Sequence, residues 1–164
     1  MTRAKYALGA VGIISLLFLG TAVSGDHTDV GKSPLRGSWT LSQVSYINFV
    51  VGGATTTAVG VFTVDETGAV TGHGTINTAC AAVGPNCPAP NPIRADFTGT
   101  ITTNEDGTAV FTVVLPTFNL TVTRDCVLID KRGGCYQEFR CVNTSPNGEV
   151  VLAEHKRQSA GTCK

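Results

Sequence analysis

Ile93-Arg94-Ala95-Asp96-Phe97-Thr98-Gly99-Thr100-Ile101-Thr102 decides the fold. Ile93, Ala95, Phe97, Gly99 and Ile101 fall on one face of an extended chain. Arg94, Asp96, Thr98, Thr100 and Thr102 fall on the other. An extended backbone turns successive side chains to opposite sides, so this period of two predicts a strand with one apolar and one wetted face. The stretch before it behaves alike: Val70, Gly72, Gly74 and Ile76 share a side, opposite Thr71, His73, Thr75 and Asn77.

Working outward, the same chemistry recurs from Gly37 to the end. Thr, Val, Ile and Phe dominate, interrupted by Gly and Asn/Asp, and no amphipathic helical stretch of useful length occurs. Strands are predicted over about 38–50, 56–64, 69–79, 93–103, 108–115, 118–129, 135–142 and 149–157 from this alternation. Asp65-Glu66-Thr67-Gly68 and Asn104-Glu105-Asp106-Gly107 read as hairpin turns, with Gly supplying the positive φ. Both lie in a short internal repeat, Gly60–Gly68 matching Gly99–Gly107 in its glycines, apolar, Thr and turn positions. Two copies suggest a meander and are too few for a propeller or solenoid. Gly133-Gly134 and Asn147-Gly148 mark further turns. Eight short strands joined by tight turns predict an all-β, antiparallel up-and-down barrel, with a β-sandwich as the alternative. Closure removes the exposed edges that invite aggregation.

The beginning of the chain reads as an export signal. Arg3 and Lys5 precede an apolar run from Tyr6 to Val23, and Ala22-Val23-Ser24 offers small residues for a peptidase. The expected cut is Ser24/Gly25; a retained membrane anchor is the alternative. The expected organisation is a signal peptide at 1–24, a flexible polar leader at 25–36 and a single barrel domain at 37–164. Localisation is expected to be secreted or periplasmic, with no stable membrane insertion after cleavage. Losing Arg3 and Lys5 takes the formal charge from 0 to −2. Such a domain lacks the basic surface that phosphate contacts need, so no nucleic-acid partner is expected.

All six cysteines follow the signal, and an even count behind one reads as disulfides. If Gly133-Gly134 is a two-residue turn, Cys126 faces Cys141 on the apolar side. Cys80 and Cys87 flank an Ala/Gly/Pro/Asn loop and would close it; Cys135 and Cys163 remain, and would tie down the tail. The rival set pairs Cys126 with Cys135 and Cys141 with Cys163.

Gly37-Ser38-Trp39 at the first strand resembles the opening of the calycin barrels, the lipocalins and avidins. Asp65-Glu66-Thr67-Gly68-Ala69-Val70-Thr71-Gly72 is similar to the second hairpin of avidin-like proteins. The resemblance implies an eight-stranded barrel with a ligand at its mouth. Trp39 is the only Trp, whereas avidin-type barrels enclose biotin with several, so a biotin site is not expected. Lipocalins also pack a late Arg on the first Trp, a part open here to Arg140 or Arg157.

No constellation of residues announces catalysis. Gly-x-Ser-x-Gly is missing, and no Gly-rich phosphate loop precedes a helix. The acidic turns lack the spacing of a calcium loop, and no C-x-x-C pair or spaced His set suggests zinc, so neither metal nor cofactor is expected. His73 reads as a surface residue, and His155, between Glu154 and Lys156, as part of a charged strand. Asn119 and Asn143 head glycosylation sequons, meaningful only in a eukaryotic secretory pathway. The small inward residues Gly72, Gly74, Ala95, Gly99 and Ala109 either leave room for a ligand or let a narrow barrel close. Gln43, Ser45 and Gln137, on the side of Trp39, Leu41 and Phe139, are candidates for the few polar groups a pocket needs. The candidate ligand-binding set is therefore Trp39, Gln43, Ser45, Gln137 and Phe139. The leading expectation is a non-catalytic binder of a small apolar or amphipathic ligand. The alternatives are an extracellular or envelope interaction module, such as a surface component or enzyme inhibitor with a protein partner, and a small-barrel cyclase or isomerase.

Overall fold

Alternation along each strand closes the sheet on itself. The computed structural model describes residues 31–47, 54–80, 92–145 and 149–158. The expected signal, Cys87, Cys163 and residues 48–50 of the first expected strand lie outside them. The elements are β1 (Gly37–Ile47), β2 (Ala54–Val64), β3 (Ala69–Cys80), β4 (Ile93–Thr103), β5 (Thr108–Leu115), a 3₁₀ turn (Pro116–Phe118), β6 (Leu120–Arg132), β7 (Cys135–Ser145) and β8 (Glu149–Arg157). Each strand pairs antiparallel with the next, and β1 pairs with both β2 and β8. The result is a closed eight-stranded up-and-down barrel, and a two-sheet sandwich is excluded.

β4 shows why. Its burial alternates as the sequence does, with Ala95, Phe97 and Ile101 inside and Arg94, Asp96, Thr98, Thr100 and Thr102 in solvent. The two repeat copies fold alike. In each, the first turn residue donates its N–H to the residue after the Gly (Asp65 to Ala69, Asn104 to Thr108), and the Gly donates back. Gly68 and Gly107 both take a positive φ, the left-handed region that side chains resist. Each Gly carbonyl then accepts from the next strand over, Gly68 from Ile101 and Gly107 from Leu128. The repeat is thus one hairpin device used twice around the cylinder.

Those turns, with Gly133-Gly134, gather at one end. Residues 33–36 cross that end, although their composition suggests a flexible leader. Ser33 donates its N–H to the Glu66 carbonyl, Tyr136 donates to that of Pro34, and Leu35 is fully buried. The strand ends Ile47, Ala54, Cys80, Ile93, Leu115, Leu120, Ser145 and Glu149 gather at the opposite end, here termed the mouth.

The lower half of the lumen is filled. Trp39, Phe62, Phe97, Phe111 and Phe139 form one buried cluster with Leu35, Val64, Val70, Ile101, Leu128 and others. Gly72 exists for this packing: a Cβ there would lie 2.5 Å from Phe62 Cβ and 2.6 Å from Phe97 Cζ. Between the two readings of the small inward residues, Gly72 therefore serves closure and not vacancy.

Cys126 and Cys141 are ladder partners across β6 and β7 and form a disulfide between buried residues, as the Gly133-Gly134 turn predicts. Cys135 is disulfide-bonded too, to a cysteine whose side chain lies outside the described residues. The rival set that joined Cys126 to Cys135 is therefore excluded. The Cys126–Cys141 bond closes a loop with a sequence separation of 15. Replacing both residues by Ala is expected to lower unfolding stability by about 3 kcal/mol through the freer unfolded chain. Urea unfolding followed by circular dichroism checks this; an unchanged midpoint would show that the bridge restrains nothing.

Candidate functional site

The inward series of β6 is Leu120, Val122, Arg124, Cys126 and Leu128, so alternation delivers a guanidinium into an otherwise apolar lumen. The β6–β7 register shifts between Thr123 and Arg124, a bulge of the kind that re-aims a side chain. Arg124 is 5% exposed. It reaches across the lumen, donating from Nη2 to Gln43 Oε1 on β1 at 2.7 Å and from Nε to Asn143 Oδ1 on β7 at 3.0 Å.

From Gln43 the polar surface continues sideways. Gln43 Nε2 lies 3.5 Å from Ser45 Oγ, and Ser45 hydrogen-bonds Thr56. Ser45 and Thr56 are ladder partners, as are Thr56 and Thr78, and all three are buried. A row of hydroxyls on β1, β2 and β3 thus faces the lumen beside an amide and a guanidinium. Buried polar groups must find partners, so this network costs stability unless it is satisfied internally or by a ligand.

Beneath it lies His155. The sequence expectation of a solvent-facing charged strand is corrected here. Glu154 and Lys156 point outward and pair with each other at 3.3 Å, while His155 between them points inward and is fully buried. Its ring stacks on Phe139 at 4.2 Å and meets Phe62 and Phe111 edge-on, each at 5.7 Å. Nδ1 sits 3.9 Å from Cys141 Sγ, and Nε2 is buried without a hydrogen-bond partner. Burial, and then the Arg124 charge, push the His155 pKa down to about 3. It is therefore a neutral imidazole at physiological pH, sheathed in aromatic rings.

Trp39 occupies the floor. It is an edge-on neighbour of Phe139 at 4.9 Å, and its Nε1–H donates to the Leu35 carbonyl at 2.7 Å. Arg157, its ladder partner on β8, lays its guanidinium 4.6 Å from the Trp39 ring and donates to the carbonyls of Tyr136 and Arg36. Of the two candidates for the Arg that packs on the first Trp, Arg157 takes the part. Arg140 instead faces outward and pairs with Glu138 and Glu154.

The five candidate ligand-binding residues are thereby separated. Gln43 and Ser45 belong to the polar mouth. Trp39 and Phe139 belong to the packed floor and middle. Gln137, half-buried near the closed end, is hydrogen-bonded to the Cys135 carbonyl at 3.3 Å. Arg124, Asn143, Thr56 and Thr78 join the site without being candidates from the sequence. The signal for Arg124 was present, since it shares the face of Leu120, Val122, Cys126 and Leu128. Gln43 is itself a candidate from the sequence, but nothing there links it to Arg124, 81 residues away. His73 is exposed on the outer face of β3. Among the described residues, no group of three or more His, Cys, Asp or Glu side chains is placed to hold a metal.

The class defined by this geometry is a closed eight-stranded antiparallel barrel with an aromatic floor and a polar mouth. No protein-family model and no curated protein matches the chain. Among solved structures, a redesigned β-barrel is similar at 15% identity and a TM-score of 0.49, covering 79% of this chain and 96% of its own. A second, solved bound to DFHBI, is similar at 11% identity and a TM-score of 0.47, covering 76% of this chain and 94% of its own.

Proposed function

We propose that this chain is an exported, non-catalytic barrel that binds a small amphipathic molecule at its mouth. The observation that carries the reading is the bridge from buried Arg124 to half-buried Gln43 and Asn143 with its row of hydroxyls, facing the lumen above a packed aromatic floor. Binding sites pair an apolar wall with a few convergent polar groups. Here Ile93, Val122 and Val151 sit on inward-facing positions near those donors. A ligand's polar head would replace the amide partners of Arg124, and its apolar part would lie along the lumen. Export through the segment 1–24 is supported by the Cys126–Cys141 and Cys135 disulfides, which persist in oxidising compartments. Kinship with the calycin barrels is supported by Arg157 over Trp39 at the closed end. The non-catalytic reading is supported by the burial of His155, fully enclosed among Phe62, Phe111 and Phe139.

Native mass spectrometry of protein isolated from an extracytoplasmic fraction tests this, with thermal shifts against octanoate and octyl glucoside. A co-purifying ligand or a stabilising probe is expected. Arg124→Gln is expected to weaken binding of the better probe about tenfold, the scale of one charged hydrogen bond. Calorimetry reads that change. Protein with no ligand and no stabilising probe would end the proposal.

A further inference from the structure

The outer wall of the barrel is not uniform. Over β2, β3 and β4 the outward positions are mostly polar, with Thr the commonest: Thr57, Thr63, Thr71, Thr98, Thr100 and Thr102. Isolated apolar exceptions there and on β6 have polar ladder partners. Val59 lies between Ser42 and Thr75, and Val127 between Thr108 and Arg140. On β1 and β8 the pattern changes. Val44 is the partner of Leu152 and Tyr46 of Val150, so four exposed apolar side chains form two adjacent cross-strand pairs. Val142, the outward residue next to Cys141 on β7, extends the patch where Cys141 pairs with Ala153. Val150 is 71% and Leu152 64% exposed.

We infer that this face, on the mouth half of β1, β8 and β7, is the interface between two copies of this chain. Closure leaves no strand edge for a partner to extend, so association must pack wall on wall. The five side chains expose roughly 500 Å² together, at the upper end of what a monomer leaves in one patch. A stable interface takes about 800 Å² from each partner, so an apolar centre of this size with a polar rim is sufficient.

The rim chooses the occupant. Towards the closed end β7 and β8 carry Glu138, Arg140, Glu154 and Lys156, linked by ion pairs of 2.8 Å (Arg140–Glu138), 3.3 Å (Arg140–Glu154) and 3.3 Å (Lys156–Glu154). Asp125, the partner of Val142, adds one acid on the far side. Both signs therefore alternate within one charge of neutrality. With two barrels side by side and mouths at the same end, apolar halves meet and the charged ladders meet below them. Interleaved signs then pair across the two-fold. A single-sign partner would find as many like as unlike charges, and an anionic bilayer calls for a basic rim, which the glutamates deny.

Sedimentation velocity of protein expressed from the complete chain decides the matter. A concentration-dependent dimer is expected at about 10 µM. Val150→Lys with Leu152→Lys is expected to raise its dissociation constant at least tenfold, about 1.4 kcal/mol. Val59→Lys and Val127→Lys, equally exposed but away from the face, are expected to leave it unchanged. Circular dichroism confirms that all variants fold; Val150→Thr with Leu152→Thr repeats the test with β-compatible side chains. A wild-type monomer at about 100 µM, or a double variant that dimerises like the wild type, overturns the inference. So does a monomeric wild type that floats with lipid vesicles, which would assign the face to a membrane surface.

Discussion

Trp39→Ala is expected to lower the stability of the barrel by about 3–5 kcal/mol, the usual cost of deleting a large ring from a packed core. The ring is fully buried, touches Phe62 and Phe139, and lies under the Arg157 guanidinium. Its loss removes apolar contact and leaves a cavity that the closed cylinder cannot easily collapse, because each strand is held on both sides. It also leaves the Leu35 carbonyl without its donor, loosening the segment that crosses the closed end. Trp39→Phe keeps most of the apolar contact but loses that hydrogen bond, so a smaller cost of about 1–2 kcal/mol is expected. Guanidinium unfolding followed by far-UV circular dichroism reads both, since the alanine variant has no Trp to fluoresce. A cost under about 1 kcal/mol for Trp39→Ala would mean that the closed end is not packed as described.

The second large effect is an acid instability set by His155. Its pKa is about 3 in the folded chain against 6.5 for an ordinary imidazole, chiefly through burial and then through the charge of Arg124. Above pH 6.5 the ring is neutral both folded and unfolded, and the full stability is present. Between 6.5 and about 3 the unfolded chain binds a proton that the folded chain refuses. Stability should then fall by roughly 1.4 kcal/mol per pH unit through that window, or a few kcal/mol by pH 4. His155→Phe, which can stack on Phe139 in the same place, is expected to flatten the slope between pH 6.5 and 4.5. Asp65 and Asp106 act in a separate, more acidic range. Hydrogen bonds from Thr67 and Thr108 hold their carboxyls below the usual value, so their contribution is lost only as those groups protonate. Urea midpoints measured at successive pH values separate the two. A stability that stays level from pH 7 to 4.5 in the native sequence would place His155 in contact with water.

Much of the barrel is legible in the sequence, for reasons that can be named. Period two in Ile93–Thr102 survives because β4 is wet on one face and apolar on the other. The turn at Gly133-Gly134 is short enough to count across, so the Cys126–Cys141 partnership follows from it. Reading fails where an inward polar residue is judged by its neighbours in sequence and not by its phase. His155 stands between Glu154 and Lys156, which lie on the opposite face of the same strand. Arg124 shares its phase with Leu120 and Cys126, yet a lone charge in an apolar series identifies no partner. Gln43 and Asn143 become its partners only once β1, β6 and β7 curve around a common lumen. Arg157 and Arg140 are likewise told apart by phase: one faces the lumen across from Trp39, and the other joins the outer ladder. A candidate set drawn from the inward faces of two strands mixes floor with mouth, because the depth of a residue along the cylinder depends on how neighbouring strands are staggered.

The claim on which the account turns is that a small molecule enters at the mouth and meets Arg124 and Gln43 above an undisturbed floor. Nitrogen-resolved NMR during titration with octanoate and octyl glucoside observes the relevant groups separately. The Arg124 Nε–H and the Gln43 side-chain amide are predicted to shift with at least one of the two, while the Trp39 indole N–H stays in place. A moving Trp39 resonance with Arg124 unchanged, or a spectrum that neither molecule alters, would contradict it.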